Sequence, residues 1–273
     1  MLSYQHLYHA GNAADVHKHA LLAWMLAYLT AKDKPLSYLE THAGRALYDL
    51  SAPEARKTGE AAQGIARLEQ RLASDHPYRR VLDRVRAGHG AQAYPGSPLI
   101  AALMLRDRDS IDLAERHRRE VEALREAMLP FAARVHAVDG FAKAQELTPP
   151  NPRRGMMLID PSFETETDYS EMPRFIGQMA RKWNVGIIVL WYPVLTDARH
   201  APMLAALEGA HPGALRHEVR FAPARDGHRM TGSGLFVINP PWGLADEAAR
   251  VGRIFADQPG ARDRTASSRP EPR

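Results

Sequence analysis

Gly155-Met-Met-Leu-Ile-Asp-Pro-Ser-Phe163 is the stretch of the sequence that decides the fold. Its apolar run, flanked by a glycine and a proline, predicts a short buried strand of a parallel sheet. Ligands of open α/β sheets bind just outside the carboxyl ends of the strands, so Asp160 should face that crevice. Pro161 restricts the chain that follows, and Phe163 can offer a ring face to a planar substrate. The alternative is an ordinary strand-to-turn junction, where Asp-Pro is common.

The composition bounds the class of protein. A chain of 273 residues can form one large α/β domain with a small insertion, and its zero cysteines exclude disulfides, thiolate metal sites and a cysteine nucleophile. No apolar run approaches about 20 residues and the amino terminus lacks a signal-peptide pattern, so we expect a soluble, cytoplasmic protein without a membrane segment. The formal net charge of +4 and the 13 histidines suit a polyanionic partner without requiring one.

Acidic residues follow several predicted strands. They are Glu40, Glu115, Asp139 and Asp160. Because the carboxyl ends of parallel strands share one edge of a sheet, these carboxylates should converge there. An acid after a second strand can accept hydrogen bonds from ribose hydroxyls, and Asp139-Gly140 after a third can frame an adenine ring. The turn at 41–44 would let backbone amides approach a nucleotide-like ligand, although a lone glycine there is also simply a turn.

The rest of the sequence completes a doubly wound α/β pattern. A helix that begins at Asn12 or Asp15 is predicted to run through Leu29 with one buried face. Further strands are predicted over 185–193, 215–223 and 234–240, the last two as an antiparallel pair at the sheet edge. Seven strands, with helices between the first five and a terminal hairpin, are the order of a class I (Rossmann-like) methyltransferase sheet, which other doubly wound folds share in part.

Changes in composition suggest the domain limits. Residues 51–93 are charged, with apolar residues at helical intervals, which predicts a small helical insertion. Tyr94–Pro98 should form a rigid turn in which Ser97 caps the next helix. We therefore predict one methyltransferase domain over 1–256, containing the insertion, and a disordered tail over 257–273, which is rich in Pro, Arg and Ser.

The amino-terminal residues and one late loop are further candidates for ligand contact. Histidines at positions 6, 9, 17 and 19 match no structural zinc spacing, so we expect polar or ligand-contacting histidines and no metal. Residues 224–234 should form a long basic loop that contains Arg225 and Arg229. This loop and the insertion are the candidate contacts with a nucleic acid, from their charge and position.

A set of short motifs extends along nearly the whole chain, to about Gly243. They are Met1-Leu-Ser-Tyr4, His9-Ala-Gly-Asn12, Asp15-Val-His-Lys-His19, Thr41-His-Ala-Gly44, Tyr94-Pro-Gly-Ser-Pro-Leu-Ile100, Asp139-Gly-Phe141, Leu190-Trp-Tyr-Pro193, Met230-Thr-Gly-Ser-Gly234 and Asn239-Pro-Pro-Trp242. Together they resemble the RlmJ family of bacterial 23S ribosomal RNA adenine-N6 methyltransferases. Asp160-Pro-Ser-Phe163 is also similar to the Asp-Pro-Pro-Tyr signature of enzymes that methylate exocyclic amino groups of nucleobases.

The resemblance implies an enzyme with S-adenosylmethionine as cofactor and 23S ribosomal RNA as partner, and we expect a monomer. The implied cofactor-binding residues are Lys18, His19, His42, Ser97, Glu115, Asp139 and Gly140. Asp160 would be the catalytic acid and Tyr4 would lie near the substrate base. Adenine N6 is a poor nucleophile, so Asp160 and the Pro161 carbonyl would accept its two hydrogens while the base stacks on Phe163.

Three departures from the family pattern concern the site. Glu40 stands where an aspartate is usual, Arg45-Ala46 where a second glycine is expected, and Ser162-Phe163 where Pro-Tyr is expected. Asn239-Pro-Pro-Trp242 is a rival for the catalytic motif, but it follows the last strand, so we prefer Asp160. The alternative functions are a DNA adenine-N6 methyltransferase and a non-catalytic nucleic-acid-binding protein of the same fold. The lack of Gly-x-Gly-x-x-Gly disfavours a nicotinamide oxidoreductase.

Overall fold

The structure, a computed structural model, describes residues 6–224, 227 and 229–256. Tyr4, Arg225 and the predicted tail over 257–273 lie outside the described residues. The strands are β1 (Ser37–Glu40), β2 (Leu47–Asp49), β3 (Ala93–Pro95), β4 (Ser110–Ala114), β5 (Ala133–His136), β6 (Gly155–Ile159), β7 (Ile187–Leu195), β8 (Leu215–Arg220) and β9 (Met230–Ile238). The α-helices are α1 (Ala13–Thr30), α2 (Pro53–Thr58), α3 (Glu60–Gln63), α4 (Ile65–Leu68), α5 (Pro77–His89), α6 (Ser97–Met104), α7 (Arg118–Met128), α8 (Gly140–Leu147), α9 (Glu166–Lys182), α10 (Ala201–Ala210) and α11 (Leu244–Ala256).

Seven strands form one sheet in the order β5-β4-β1-β6-β7-β9-β8. The first five of that order are parallel, and β9 runs antiparallel to both β7 and β8. The predicted class I, Rossmann-like methyltransferase sheet with a terminal antiparallel pair is confirmed. The chain leaves β1 first towards β4 and later returns to β6 on the other side, which opens a crevice at the carboxyl ends of these strands.

The core lies on both faces of the sheet. Met156 and Leu158 of β6 belong to a cluster with α1, α5, α6 and α11, whereas Met157 and Ile159 belong to a second cluster with α9 and α10. This alternation follows from the period of two along a strand. Because helices cover β6 on both faces of the sheet, all of its side chains are buried, which explains the continuous apolar run in the sequence. Asp160 follows directly at the carboxyl end of this strand.

The helical residues 53–89 pack against α1. Side chains of Ile65, Leu68, Tyr78 and Leu82 are buried in the same core cluster as α1. A Cβ at Gly64 would lie 2.1 Å from the carbonyl oxygen of Gly11, so only glycine allows this close approach of two backbones. The region is therefore helical as predicted, and its apolar face is part of the main core.

Three local predictions are wrong. Residues 93–95 form the strand β3, which pairs antiparallel with β2, so the segment 94–98 is only partly a turn. Ser97 does not cap α6, because the N-cap is Gly96 and the Ser97 hydroxyl donates to Glu40 instead. The basic loop is also shorter than predicted, since β9 already begins at Met230. Each difference depends on a partner strand or side chain that is distant in the sequence.

None of the helices in the described ranges combines the length and the apolar character that crossing a membrane requires.

Candidate active site

A cavity of about 550 Å³ opens at the carboxyl ends of β1, β4, β5 and β6. This volume lies in the range of small-molecule and cofactor sites. The cavity is lined by all of the predicted cofactor residues, Lys18, His19, His42, Ser97, Glu115, Asp139 and Gly140, and by Asp160, Pro161 and Phe163. The structure thus brings together residues that are spread over most of the chain. Of the four acids expected at strand ends, Glu115, Asp139 and Asp160 line the cavity, whereas Glu40 does not.

Asp160 forms an ion pair with Lys18 in the wall of the cavity. Lys18 Nζ donates to Asp160 Oδ2 at 2.5 Å and lies 3.3 Å from Asp15 Oδ1. Burial would lower the pKa of the Lys18 ammonium, but the charges of Asp160 and Asp15 raise it overall. The same ammonium lies 5.7 Å from the ring centroid of Trp191. Lys18 therefore stays charged and fixes the Asp160 carboxylate in one orientation.

The first turn of α1 holds Asp15 and, through it, Lys18. Asn12 caps the helix by accepting from the Asp15 amide at 2.9 Å. Asp15 Oδ2 accepts from the Gly11 amide at 2.9 Å and lies 2.9 Å from His6 Nε2. Burial would raise the pKa of the Asp15 carboxyl, but the charges of His6 and Lys18 hold it well below its ordinary value. Asp15 is thus a buried carboxylate that anchors Lys18 one helical turn later.

Glu40 lies beneath the cavity at the end of β1. Its carboxylate accepts from the Ser97 hydroxyl at 2.5 Å and from the Tyr38 hydroxyl at 2.9 Å. Burial raises the pKa of Glu40 to about 8, although these hydrogen bonds lower it, and the nearby Asp160 raises it further. The longer side chain at this position is accommodated because hydrogen bonds from Ser97 and Tyr38 satisfy both of its oxygens.

Glu115 and Asp139 line the part of the cavity next to β4 and β5. Glu115 accepts from the backbone amides of Gly44 at 2.8 Å and His117 at 2.7 Å, and so joins the turns that follow β1 and β4. Asp139 caps α8 by accepting from the Ala142 amide at 2.9 Å. A carboxylate oxygen has more than one lone pair, so both acids can still accept hydrogen bonds from a ligand in the cavity.

At Gly140, two walls of the cavity approach each other closely. A Cβ at this position would lie 1.8 Å from the carbonyl oxygen of Thr41, a separation that no side chain tolerates. The beginning of α8 therefore approaches the turn after β1 directly, backbone against backbone. This approach fixes the width of the cavity beside Asp139.

We expect Gly140→Ala to lower the stability by roughly 1–3 kcal/mol, because the added methyl must push α8 away from Thr41. The affinity for S-adenosylmethionine should fall as well, since the wall moves. Urea unfolding and calorimetric titration would measure the two effects. The matched control is Gly209→Ala in α10, where an added Cβ meets no atom within 4 Å. A Gly140→Ala protein with the parent's stability and affinity would contradict the close approach.

The sequence of this chain is similar to a known family of proteins and to named relatives. Residues 33–266 match the family described as "Ribosomal RNA large subunit methyltransferase D, RlmJ". The chain belongs to this family. Relatives named ribosomal RNA large subunit methyltransferase J are 41% identical in Escherichia coli strain K12, over 92% of this chain and 91% of the relative, and 36% identical in Haemophilus influenzae, over 92% of each chain. The predicted resemblance to the RlmJ family is confirmed.

Two solved structures are similar to this chain in fold. A Legionella pneumophila protein of known crystal structure superimposes with a TM-score of 0.83 at 36% identity and covers 91% of this chain and 93% of its own. A probable spermidine synthase from Corynebacterium glutamicum has a TM-score of 0.51 at 12% identity, covers 90% of this chain and 73% of its own, and shares the fold alone. The Legionella protein thus shares the fold of this chain over nearly the whole length of both.

Two of the family residues, His19 and His42, are neutral in the cavity wall. Burial lowers the pKa of His19 to about 3, and its Nδ1 lies 3.1 Å from the Tyr94 hydroxyl. Burial also lowers the pKa of His42, whose ring meets Phe141 edge-on at 5.0 Å between centroids. Both rings can therefore contact an uncharged part of a ligand at physiological pH.

The aromatic wall is formed by Phe163 and Trp191. Phe163 has a φ of 50° and is 6% exposed, with its ring 4.6 Å from that of Tyr169 and 6.3 Å from that of Trp191. A positive φ is costly for an aromatic residue, by about 1–3 kcal/mol. Only a small part of the Phe163 ring meets the cavity, so stacking of a base on its face stays a prediction.

Other predicted residues lie outside the cavity. Arg229 is 69% exposed, and its guanidinium lies 3.9 Å from Asp197, although the next residue, Met230, lines the cavity. Tyr4 and Arg225 fall outside the described residues, so their predicted roles stay predictions. Asn239-Pro-Pro-Trp242 is absent from the lining as well. In the ranges that the structure describes, no group of three or more His, Asp or Glu side chains could hold a metal ion.

Sequence reasoning did not name Asp15 as a site residue. The available signal was its spacing three residues before Lys18 on one helix, which places both side chains on the same face. It also did not assign a contact to Trp191, whose indole nitrogen donates to the Ser233 hydroxyl at 2.9 Å. That hydrogen bond joins β7 to β9, and no local sequence pattern predicts it.

Proposed function

We propose that this protein transfers the methyl group of S-adenosylmethionine to N6 of an adenine in 23S ribosomal RNA. The observation that carries the proposal is the position of Asp160, at the carboxyl end of β6 inside a cavity lined by the family's expected cofactor residues. Membership of the RlmJ family supports the substrate class. We further propose a monomer that needs no metal and acts in the cytoplasm, with one catalytic domain over 1–256 and the insertion over 51–93.

The residues of the cavity fit S-adenosylmethionine. This cofactor supplies a methyl group on a positively charged sulfonium, and carboxylates surround the cavity more densely than cations do. Glu115 and Asp139 can accept hydrogen bonds from the ribose hydroxyls and the adenine amine. The neutral His42 and the ring of Phe141, which meet edge-on in the cavity wall, can cover the flat adenine ring of the cofactor. We assign Lys18, His19 and Ser97 to the same pocket.

Asp160 and Pro161 would prepare the adenine amine. The carboxylate of Asp160 and the carbonyl of Pro161 accept the two hydrogens of N6, which localises the nitrogen lone pair that the ring otherwise delocalises. Lys18 holds one carboxylate oxygen at 2.5 Å, and the remaining lone pairs of Asp160 stay available to the amine. Asp160 can also take the proton that N6 loses on methylation. Rate then depends mainly on in-line positioning of the amine.

Transfer of labelled methyl from S-adenosylmethionine to unmodified 23S ribosomal RNA tests the proposal, with DNA of matched sequence beside it. Nucleoside analysis of the RNA should find the label in N6-methyladenosine. Label in the DNA alone would favour the DNA methyltransferase. A protein that binds the RNA and transfers nothing to either substrate would instead be a binding protein with a methyltransferase fold.

Reversing both Arg225 and Arg229 to glutamate should weaken RNA binding, because Arg229 is exposed beside the cavity residue Met230. The salt dependence of the binding constant should fall by about one in slope for each lost phosphate contact. Cofactor affinity should not change. Filter binding at several salt concentrations is the measurement, and Arg125→Glu on the exposed side of α7 is the matched control. Parent-like RNA affinity in the double variant would remove this loop from the RNA surface.

A further inference from the structure

Asn239-Pro-Pro-Trp242 has no role in the cavity, yet it exposes the largest apolar side chain of the described residues. Trp242 is 86% exposed. β9 runs antiparallel to β7, and β7 is parallel to β6. The carboxyl end of β9 therefore lies at the end of the strands opposite to Asp160. Folded proteins normally bury tryptophan at least in part, so an exposed tryptophan such as Trp242 indicates an interaction surface.

Two further aromatic rings lie close to Gly243, the residue that follows Trp242. A Cβ at Gly243 would lie 3.5 Å from the indole of Trp24 on α1. Trp24 stacks on Tyr28, one turn later, with 5.8 Å between ring centroids and 18° between planes. Both rings are partly exposed. The end of the motif therefore continues into a row of aromatic side chains along the later turns of α1.

Cationic side chains border the same surface. Asn239 donates to the carbonyl oxygens of Asn184 at 3.0 Å and Gly186 at 2.8 Å, and the exposed Arg153 donates to Asn184 Oδ1 at 3.1 Å. The guanidinium of Arg154 donates to the carbonyl oxygen of Lys34 at 3.1 Å, where α1 has just ended.

The lysines after α1 are exposed, and one acid accompanies them. Lys32 and Lys34 both reach solvent, and the intervening Asp33 pairs with Arg108. Among the described residues, Arg153, Lys32 and Lys34 form no ion pair with a carboxylate, whereas Arg108 pairs with Asp33. Positive charge therefore remains available beside the exposed rings.

We propose that this surface, formed by Trp242, Trp24, Tyr28, Arg153, Lys32 and Lys34 and called here the basal surface, is a second RNA-binding surface. It binds unpaired nucleotides by stacking on Trp242, while the cations contact the phosphates. The inference rests on the proposed function, which makes RNA the substrate. Exposed aromatic rings among cations are the combination that binds single-stranded RNA with little sequence preference.

The basal surface and the cavity must engage different nucleotides. Lys18 and Tyr28 are on the same helix, separated by about 15 Å along its axis at 1.5 Å per residue. The strands of the sheet also separate Asp160 from Trp242, at opposite ends. An RNA that reaches both must therefore be long, so the basal surface would contribute to the affinity for a large RNA and not to the reaction itself.

The variants Trp242→Ala and Arg153→Glu test this proposal in the full-length protein. The matched controls are Leu129→Ala, which truncates another exposed apolar residue at 81% exposure, and Arg125→Glu. We expect Trp242→Ala to raise the Kd for unmodified 23S ribosomal RNA about tenfold, as the loss of one stacked base does. Arg153→Glu should raise it a few-fold and lower the salt dependence. At saturating RNA, the single-turnover rate of methyl transfer should remain that of the parent.

The outcomes separate the two proposals. Parent-like RNA affinity in both variants, with methyl transfer by the parent intact, overturns the basal surface and leaves the proposed function standing. Failure of the parent to transfer methyl refutes the proposed function, and weakened RNA binding by Trp242→Ala would then still support the surface. Analytical sedimentation tests whether a second copy of the chain binds this surface instead. If the parent is a dimer, and Trp242→Ala makes it a monomer without changing the RNA affinity, the surface is a dimer interface and the proposal is overturned.

Discussion

Asp160→Asn is expected to lower the rate of methyl transfer to RNA by about 10²- to 10⁴-fold, the usual contribution of a positioned acid or base. The amide keeps the shape of the carboxylate but accepts hydrogen bonds more weakly and cannot take a proton from N6. Lys18 retains Asp15 as a partner at 3.3 Å, so the fold should survive. Single-turnover transfer of labelled methyl to 23S ribosomal RNA is the measurement.

Two readings distinguish lost chemistry from lost binding in Asp160→Asn. Calorimetric titration should give S-adenosylmethionine affinity within a few-fold of the parent, and RNA affinity should be unchanged. Asp246→Asn, on the exposed side of α11, serves as the matched control and should keep the parent rate. If Asp160→Asn transfers methyl at the parent rate, Asp160 is not the acceptor of the N6 hydrogens.

Lys18→Met is expected to destabilise the protein by about 3–5 kcal/mol, because it leaves two carboxylates near the cavity without their shared cation. Asp15 is fully buried and Asp160 is half-buried, and Lys18 lies 3.3 Å and 2.5 Å from them. Methyl transfer should fall at the same time, since the orientation of Asp160 depends on this hydrogen bond. Urea unfolding with far-UV circular dichroism measures the change in stability.

A double variant tests whether the loss comes from the pair. In Lys18→Met with Asp160→Asn, one of the stranded charges is gone, so the double variant should be less destabilised than the sum of the two single variants. Lys57→Met, at an exposed position of α2, should change stability by less than about 0.5 kcal/mol. Additive losses in the double variant would mean that the two side chains are not energetically coupled.

The central part of the fold follows from the sequence for a definite reason. Each strand end that carries an acid is a local pattern, and a parallel sheet brings such ends together without further information. Asp160, Glu115 and Asp139 could therefore be placed in one crevice before the structure was known. The terminal antiparallel pair also follows, because two strands joined by a loop without a helix cannot be parallel neighbours.

The remaining features depend on contacts between distant residues. Ser97 precedes a proline at the start of a helix, which is the pattern of a helix cap. Its hydroxyl donates instead to Glu40, which is 57 residues away in the chain. Residues 93–95 are strand only because β2 lies opposite them. The direction of β9 decides that Asn239-Pro-Pro-Trp242 faces away from Asp160, although the motif itself resembles a catalytic one. A local pattern identifies a motif, but the direction of its strand determines at which end of the sheet that motif lies.

The positions of the tryptophans make the two ends of the molecule optically distinct. Trp191 borders the cavity, Trp183 is fully buried, and Trp242 is almost fully in water. Emission from Trp242 should therefore lie at longer wavelength than emission from Trp191 and Trp183, with the partly exposed Trp24 between them, and a soluble quencher should reach Trp242 first. The native chain thus carries its own reporters: a ligand in the cavity would alter the blue part of the spectrum, and a ligand at the opposite end would alter the red part.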